Sequence, residues 1–234
     1  MHHDTGTAVD HAASIVESYF RAPVTALVDT AEVLSADLGG TRGASPLTAS
    51  SLDGLVRPHA MSLLALPGVA AYGAGFIAAL DLVDGARGHL AWWQGSARTR
   101  LVLASQPLGK ERIDYSDMEW FRVPLRTGAP HVAGPYVDYL CSDEYTVTIS
   151  APVTTTGGVF AGVAALDILV DSIERDLTPR LEQIGRPVTL VNGVGRVVVS
   201  TDHRSAAGDS VRGSRLAALP RTACGDVALD VIVG

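Results

Sequence analysis

Cysteines, basic residues and long apolar runs are all scarce in this 234-residue chain. With only two cysteines, Cys141 and Cys224, at most one disulfide can form, which excludes a disulfide-rich scaffold. Lys and Arg total 18 against 25 Asp and Glu, so the net charge is −7, and no basic cluster occurs. Nucleic acid requires a phosphate-neutralising patch, so we exclude it as a partner.

Membrane-directed segments are also missing. No run of about 18 apolar residues occurs, and such a run is needed for a membrane-spanning helix. The first residues lack the basic and apolar regions of a secretory signal. We therefore expect no membrane partner and a cytoplasmic location.

Catalytic and metal-binding motifs are absent as well. The seven histidines are scattered and none forms a His-Glu-x-x-His motif, and there is no Cys-x-x-Cys. The segment Gly208–Arg212 approaches a nucleophile-elbow motif, but Arg212 replaces its second glycine. The sequence therefore predicts a protein that is not an enzyme and requires neither a cofactor nor a metal.

A long amphipathic helix is the first feature that is present. Apolar residues recur at helical spacing over residues 8–38, and glycines follow at 39, 40 and 43. We expect these glycines to end the helix and Pro23 to bend it or split it in two. A second helix is predicted at about 48–66, capped by Thr48 or Ser50.

Strand-like patterns follow the two helices. They are separated by turn residues and lie at 69–79, 89–94, 98–104, 132–140, 145–153 and 159–167, with a loop and short helical turn at 107–131. A helix at 169–184, a hairpin around Asn192-Gly193 and a strand at 226–233 complete the chain. This order predicts an α+β fold: a long N-terminal helix packed on a five- to six-stranded antiparallel meander, with a small C-terminal β unit. We expect a main domain over residues 1–184 and the C-terminal unit over residues 185–234.

Two carboxylates among the strand residues are the candidate site. Tyr136 and Asp138 are two apart on a strand and so face the same side, while Asp167 ends a later strand. If they meet in a small pocket, their repulsion favours a bound positive group, and an ammonium supplies the charge and three donors. Trp120 and Tyr115 offer ring faces, each worth about 0.5–2 kcal/mol to a cation.

Other interpretations of these residues remain open. Asp167 precedes a predicted helix, where an Asp often serves as N-cap. Asp138 fits a turn or an edge strand, and Trp120 and Phe121 fit a hydrophobic core. A hard metal ion between the carboxylates would need further oxygen ligands.

Four features of the chain resemble the Cache family of PAS-like sensor domains over about residues 8–200. They are the long N-terminal helix, the pair Trp120-Phe121, the strand opening Pro135-Tyr136-Val137-Asp138, and the run Gly162–Ile168. The stretch 188–200 looks like the start of the second lobe of a double Cache domain, which would be incomplete here. The resemblance implies a PAS-like sheet and a ligand pocket.

In amino-acid-binding and amine-binding Cache domains, the resemblance places the pocket at Trp120, Phe121, Tyr136, Asp138 and Asp167. The amino-acid type also has an arginine two residues before the tryptophan, and Met118 occupies that position here. By resemblance, an amine without a carboxylate is therefore the expected ligand, and a separate output protein is the expected partner.

Two alternatives remain open at this point. The ligand could instead be an amino acid or small carboxylate, held by Arg122 or Arg112. The chain could also be a ligand-free interaction module in which the N-terminal helix forms a homodimer.

Overall fold

The structure is a computed structural model, and it describes residues 2–41, 46–102, 114–139, 144–225 and 227–234. The helices are α1 (His2–Thr41), α2 (Ala49–Leu63), α3 (Glu119–Thr127) and α4 (Val170–Glu182), with a 3₁₀ turn at Arg215–Ala218. The strands are β1 (Ala71–Ala78), β2 (Leu90–Gln94), β3 (Thr99–Arg100), β4 (His131–Val137), β5 (Tyr145–Thr154), β6 (Phe160–Leu169), β7 (Val188–Asn192), β8 (Val197–Ser200), β9 (Thr222–Cys224) and β10 (Val227–Val233). The predicted α+β class is confirmed.

Helix α1 is longer than the sequence pattern predicts. Pro23 lies inside it without dividing it, so of the two outcomes expected at Pro23, a bend or a split, the split is wrong. The helix includes Gly39 and Gly40 and ends at Thr41, within the glycine-containing segment 38–43 that the sequence predicted to close it. The apolar stripe continues on both sides of Pro23, with Phe20 and Leu27 fully buried, and this packing holds the two halves in one helix.

Helix α2 begins where the sequence predicts. The Thr48 side chain accepts from the backbone N–H of Ser51, and the Ser51 hydroxyl accepts from that of Thr48, which forms a capping box. Its buried residues are Leu52, Val56, Ala60 and Leu63, and it packs on β1 and β2. This packing fixes the side chains of α2 beside the first strands of the sheet.

The main sheet has six antiparallel strands in the order β3-β2-β1-β6-β5-β4. A simple meander, which the sequence predicted, is therefore wrong, because β1 and β6 are neighbours at the centre. A Cβ on Gly162 would lie 2.1 Å from the Ile77 carbonyl oxygen, so only glycine permits this close approach of β6 to β1. Strand β3 comprises only Thr99 and Arg100, shorter than predicted, and residues 103–113 lie outside the described part of the chain.

The second sheet, which we call the C-terminal sheet, has the order β8-β7-β10-β9. Its core is aliphatic and consists of Val191, Val197, Val211, Leu216 and Ile232. The predicted hairpin at Asn192 is confirmed: the side-chain oxygen of Asn192 accepts from the backbone N–H groups of Val194 and Arg196. Asp226 of the predicted last strand lies outside the described residues.

The chain forms two compact units. The first contains the chain up to Val24, Val132–Thr148 and Ile168–Gly234, and the second contains Thr25–His131 and Ile149–Asp167. The domain limits expected from the sequence, 1–184 and 185–234, stay a prediction. Among the described helices, none has the length and apolar character needed to cross a bilayer.

Candidate functional site

Four aromatic rings pack together in the second unit, and we call them the aromatic cluster: Tyr115, Trp120, Phe121 and Phe160. The ring of Phe121 lies 5.3 Å from that of Tyr115 and 5.3 Å from that of Phe160, between centroids. Tyr115 also stacks on Trp120 with centroids 6.2 Å apart. Tyr115, Trp120 and Phe121 are buried, which agrees with the alternative interpretation of Trp120 and Phe121 as core residues, and their contact with a ligand stays a prediction.

The Tyr115 hydroxyl connects the cluster to the sheet. It donates to the Ala78 carbonyl oxygen at 2.6 Å and accepts from the His89 backbone N–H at 3.2 Å. Burial raises the pKa of Tyr115 to about 12, with the Asp114 carboxylate adding to the effect. These hydrogen bonds hold Tyr115 against the sheet. Its contact with a ligand stays a prediction.

Helix α3 carries three of the predicted site residues at its start. Met118 is the N-cap without a side-chain cap, and it is 47% exposed, so the position brings no positive charge to the site. Trp120 and Phe121 follow in the first turn and face inward. His131 Nε2 lies 2.9 Å from Glu119 Oε1, which links the start of α3 to the start of β4.

Asp167 lies within β6 and is only 4% exposed. Its interpretation as an N-cap is wrong, because β6 runs on to Leu169 and Leu169 itself is the N-cap of α4. Residues 161–168 are all buried, so both faces of this strand are covered. The structure thus places a carboxylate inside a strand, where Asp is uncommon.

Tyr136 and Asp138 lie in the first unit. The Tyr136 hydroxyl is hydrogen-bonded to the Thr148 hydroxyl. Asp138 is 7% exposed, and its backbone N–H donates to the Glu144 carbonyl oxygen at 3.0 Å. Val137 between them is 36% exposed, which agrees with the predicted alternation along the strand. The convergence of Asp138 with Asp167 stays a prediction.

A second group of polar residues was missed by the sequence reasoning. Asp53 Oδ1 lies 2.8 Å from His89 Nε2, and Asp53 Oδ2 lies 2.6 Å from Arg100 Nη2. Asp53 lies 36 positions before His89 and still further before Arg100, and no spacing rule joins a helix to a hairpin over that distance. Within the described residues, no group of three or more His, Cys, Asp or Glu could hold a metal ion.

Comparison with known families gives a match over one part of the chain. Residues 97–175 match the model of the family described as "Methyl-accepting chemotaxis protein-like, first PDC sensor domain". That range contains all seven predicted site residues: Tyr115, Met118, Trp120, Phe121, Tyr136, Asp138 and Asp167. No match was found among curated proteins.

Three solved structures are similar over nearly the whole chain. "Methyl-accepting Chemotaxis protein X" is 20% identical with a TM-score of 0.59, covering 98% of this chain and 97% of that one. The ligand-binding domain of the Pseudomonas aeruginosa amino-acid chemoreceptor PctC in complex with GABA is 17% identical, with a TM-score of 0.57 and coverage of 98% and 97%. That of the Pseudomonas fluorescens chemoreceptor CtaA in complex with L-valine is 11% identical, with a TM-score of 0.60 and coverage of 97% and 93%.

These similarities establish the fold. The chain has the α+β architecture of PDC/Cache-like chemoreceptor sensor domains, as the resemblance implied. The matched family is described as a sensor domain. The double Cache amine type and the incomplete second lobe stay predictions.

Proposed function

We propose that this protein is a small-molecule sensor domain and that its ligand is an amine bound with the participation of Trp120 and Asp167. The observation that carries the proposal is the match of residues 97–175 to a chemoreceptor sensor domain. All the residues chosen from the sequence for their chemistry fall in that range. The participation of Tyr136, Asp138 and Phe121 stays a prediction.

The chemistry of the Asp167 position supports a cationic ligand. Asp167 is 4% exposed, and in such surroundings of low polarity a carboxylate attracts a positive group more strongly than it does in water. An ammonium group offers a positive charge and N–H donors, and its N–H bonds to a carboxylate are charge-assisted. Trp120 lies in the same compact unit and can add a ring contact to a cation.

Met118 is the reason for favouring an amine over an amino acid. By resemblance, an arginine two residues before the tryptophan holds the carboxylate of amino-acid ligands. The methionine here is uncharged and 47% exposed, so it supplies no anchor for a carboxylate. A ligand with an ammonium and no carboxylate matches the chemistry of the residues that remain.

An amino acid is the second candidate, and the structural relatives favour it. One relative is described in complex with GABA and another in complex with L-valine, and each ligand carries a carboxylate besides its amine. Arg122 on α3 is exposed and provides a guanidinium four residues after Met118. The other arginine considered, Arg112, lies outside the described residues.

Calorimetry with matched ligand pairs separates the two candidates. Propylamine is GABA without its carboxylate, and isobutylamine is L-valine without its carboxylate. We expect the amines to bind more tightly than the corresponding amino acids. Binding of GABA or L-valine without binding of the matched amine would replace the amine by the amino-acid alternative. Failure of both amines together with a panel of diamines and quaternary amines would overturn the proposal.

A pair of isosteric variants tests the role of Asp167. Asp167→Asn removes the charge at constant size, and we expect amine affinity to fall about 10- to 100-fold, since a hydrogen bond to a charged group contributes about 1.5–3 kcal/mol. Asp171→Asn is the control, because Asp171 is exposed in the first turn of α4 and undergoes the same chemical change. Equal affinity in the wild type and Asp167→Asn would remove Asp167 from the site.

Signal output through a partner protein is part of the proposal, and the cytoplasmic location stays a prediction of the sequence. Homodimerisation through α1 also stays a prediction. Light scattering of the chain with and without residues 1–36, in the presence and absence of a bound amine, tests the dimer directly. If the truncated chain has the same number of subunits per particle as the full chain, α1 is excluded as the dimer contact.

A further inference from the structure

A cleft lined by three arginines lies in the second unit, and its lining includes none of the aromatic cluster residues. It has a volume of about 540 Å³ and is lined by Asp53, Gly54, Arg57, Trp93, Ala97, Arg98, Thr99 and Arg100. We call it the arginine cleft. One wall is the outer part of α2, and the other is β2, β3 and the turn that joins them. Nothing in the sequence patterns or in the family comparisons assigns this cleft a role.

The charge of the arginine cleft is opposite to that of the whole chain. The protein carries a net charge of −7, whereas the cleft contains three guanidinium groups and one carboxylate. Both oxygens of that carboxylate are already engaged, Asp53 Oδ1 by His89 and Asp53 Oδ2 by Arg100. Arg57 and Arg98 therefore leave an excess of positive charge in the cleft.

Arg98 has a backbone conformation that its side chain does not favour. It lies in the turn after β2 with φ of 48°, a left-handed conformation that few non-glycine residues adopt. Its Nη2 donates to the Leu64 carbonyl oxygen at 3.0 Å, at the end of α2. That bond uses one of the five guanidinium N–H donors and sets the position of the group. Residues held in such conformations are concentrated at functional sites.

Trp93 gives the cleft a rigid wall. It is only 5% exposed, and Trp92 beside it on the strand is 2% exposed, so both faces of β2 are covered. The Trp93 backbone is paired with that of Arg100 across β2 and β3, which fixes the ring relative to Arg100. An indole beside guanidinium groups also lowers the local polarity around them, and this strengthens their attraction to an anion.

We propose that the arginine cleft is a second binding site, for a small polyanion with two or more carboxylate or phosphate groups. Guanidinium groups hold such groups through paired N–H bonds, and Arg57 and Arg98 come from opposite walls of the cleft. The volume of about 540 Å³ is in the range of small-molecule sites. The proposal is independent of the amine site, so the failure of either leaves the other standing.

Calorimetry with citrate, inorganic pyrophosphate and acetate on the full chain tests this site at about 0.15 M ionic strength. We expect saturable binding of citrate or pyrophosphate and none of acetate, which carries a single charge. A higher affinity for citrate than for pyrophosphate assigns the site to polycarboxylates, and a higher affinity for pyrophosphate assigns it to phosphate compounds. Absence of saturable binding by both polyanions overturns the proposal.

Three arginine variants make the assignment specific. Arg57→Gln and Arg98→Asn should each weaken polyanion binding about tenfold or more, because each removes a charged donor. Asparagine tolerates the left-handed conformation, so Arg98→Asn should fold at least as well as the wild type despite the lost bond to Leu64. Arg126→Gln is the control, because this exposed arginine of α3 is outside the cleft lining and its loss changes the net charge equally.

The polyanion affinities of these variants distinguish a specific site from attraction of the anion to the charge of the whole protein. Equal weakening by Arg57→Gln and Arg126→Gln would show a response to net charge alone and would overturn the proposal. Tryptophan fluorescence supplies a second readout, since Trp93 lines the cleft and the chain has three tryptophans. We expect polyanion binding to change the emission and Trp93→Phe to abolish that change. An unchanged signal in Trp93→Phe would place the anion elsewhere.

Discussion

The aromatic cluster and the core of the C-terminal sheet are built from different side chains. The aromatic cluster consists of four rings with centroids 5.3–6.2 Å apart. The packing of each ring depends on the orientation of the rings that it contacts. The core of the C-terminal sheet consists of three valines, a leucine and an isoleucine, which fill space without a preferred ring angle. Aromatic pairs gain about 0.5–1.5 kcal/mol beyond their buried area when their geometry is right. The two regions should therefore differ in how they respond to the loss of one side chain.

Their polar residues differ as well. In the C-terminal sheet, the Asn192 side chain closes a turn, and Asp202 is paired with Arg204 and Arg215. Each of these has a local structural explanation. Asp167 is different, because it lies inside β6, where Asp is uncommon, and does not cap α4. Departures from local preference are concentrated at functional sites, which is why Asp167 rather than Asp202 enters the proposed function.

Replacement of Phe121 by alanine should produce the largest effect. Phe121 is 3% exposed and contacts the rings of Tyr115, Trp120 and Phe160. We expect the free energy of unfolding to fall by about 3–5 kcal/mol, from lost transfer energy and the cavity left behind. Val197→Ala in the C-terminal core removes less volume and should cost about 2 kcal/mol. Urea denaturation of both variants measures the difference. A smaller loss for Phe121→Ala than for Val197→Ala would show that the cluster is not tightly packed.

Alkaline pH should lower the free energy of unfolding by an intermediate amount, because each region contains a buried group whose ionisation is unfavourable in the folded chain. Burial raises the pKa of Cys224 from its ordinary value of 9.0 to about 12, and that of Tyr115 from 10.0 to about 12. The unfolded chain loses these protons first, so it binds fewer protons than the folded chain between about pH 9 and about pH 12. Stability contributed by both groups is therefore complete below about pH 9 and falls as the pH rises.

Single variants show how much of the stability lost at alkaline pH comes from each of the two regions. Cys224→Ala should remove the part that begins near pH 9, and Tyr115→Phe the part that begins near pH 10. Denaturation at a series of pH values gives the difference in unfolding free energy between the wild type and each variant. A difference that stays constant with pH would show that the group ionises as readily in the folded chain as in the unfolded one.

The sequence predicted the helices and strands well where a local pattern exists. The N-cap Thr48 and the Asn192 hairpin each depend on neighbours within a few residues, and both are present. The split at Pro23 was wrong because burial on both sides of it outweighs the local preference of proline. The meander was wrong because the pairing of β1 with β6 joins segments about 85 residues apart, and no local pattern encodes it.

The candidate site was predictable only as a set of residue types. Alternation along a strand placed Tyr136 and Asp138 on the same side, and their burial agrees with it. For Asp167, strand and N-cap were equally compatible with the pattern, since the strand passes directly into α4 and only the structure places the boundary. The arginine cleft was not predictable, because Asp53 on α2 meets Arg100 on β3 only through the packing of α2 on the sheet.

The smallest effect should come from Asp202→Asn in the C-terminal sheet. Hydrogen bonds from Arg204, with the Arg204 and Arg215 charges, lower the pKa of Asp202 from 3.8 to about 2. The stability that this carboxylate contributes is complete above about pH 4 and is lost as the pH falls towards about 2. Asp202→Asn should therefore flatten this part of the acid-unfolding curve and lower the neutral stability by the same amount, which should be small because both guanidinium partners are more than half exposed and screened by solvent. Acid titration of the unfolding free energy measures the change, with Asp171→Asn as control. A loss at neutral pH as large as that of Phe121→Ala would show that the Asp202 pairs, rather than the aliphatic core, hold the C-terminal sheet together, and the contrast between the two regions would then fail.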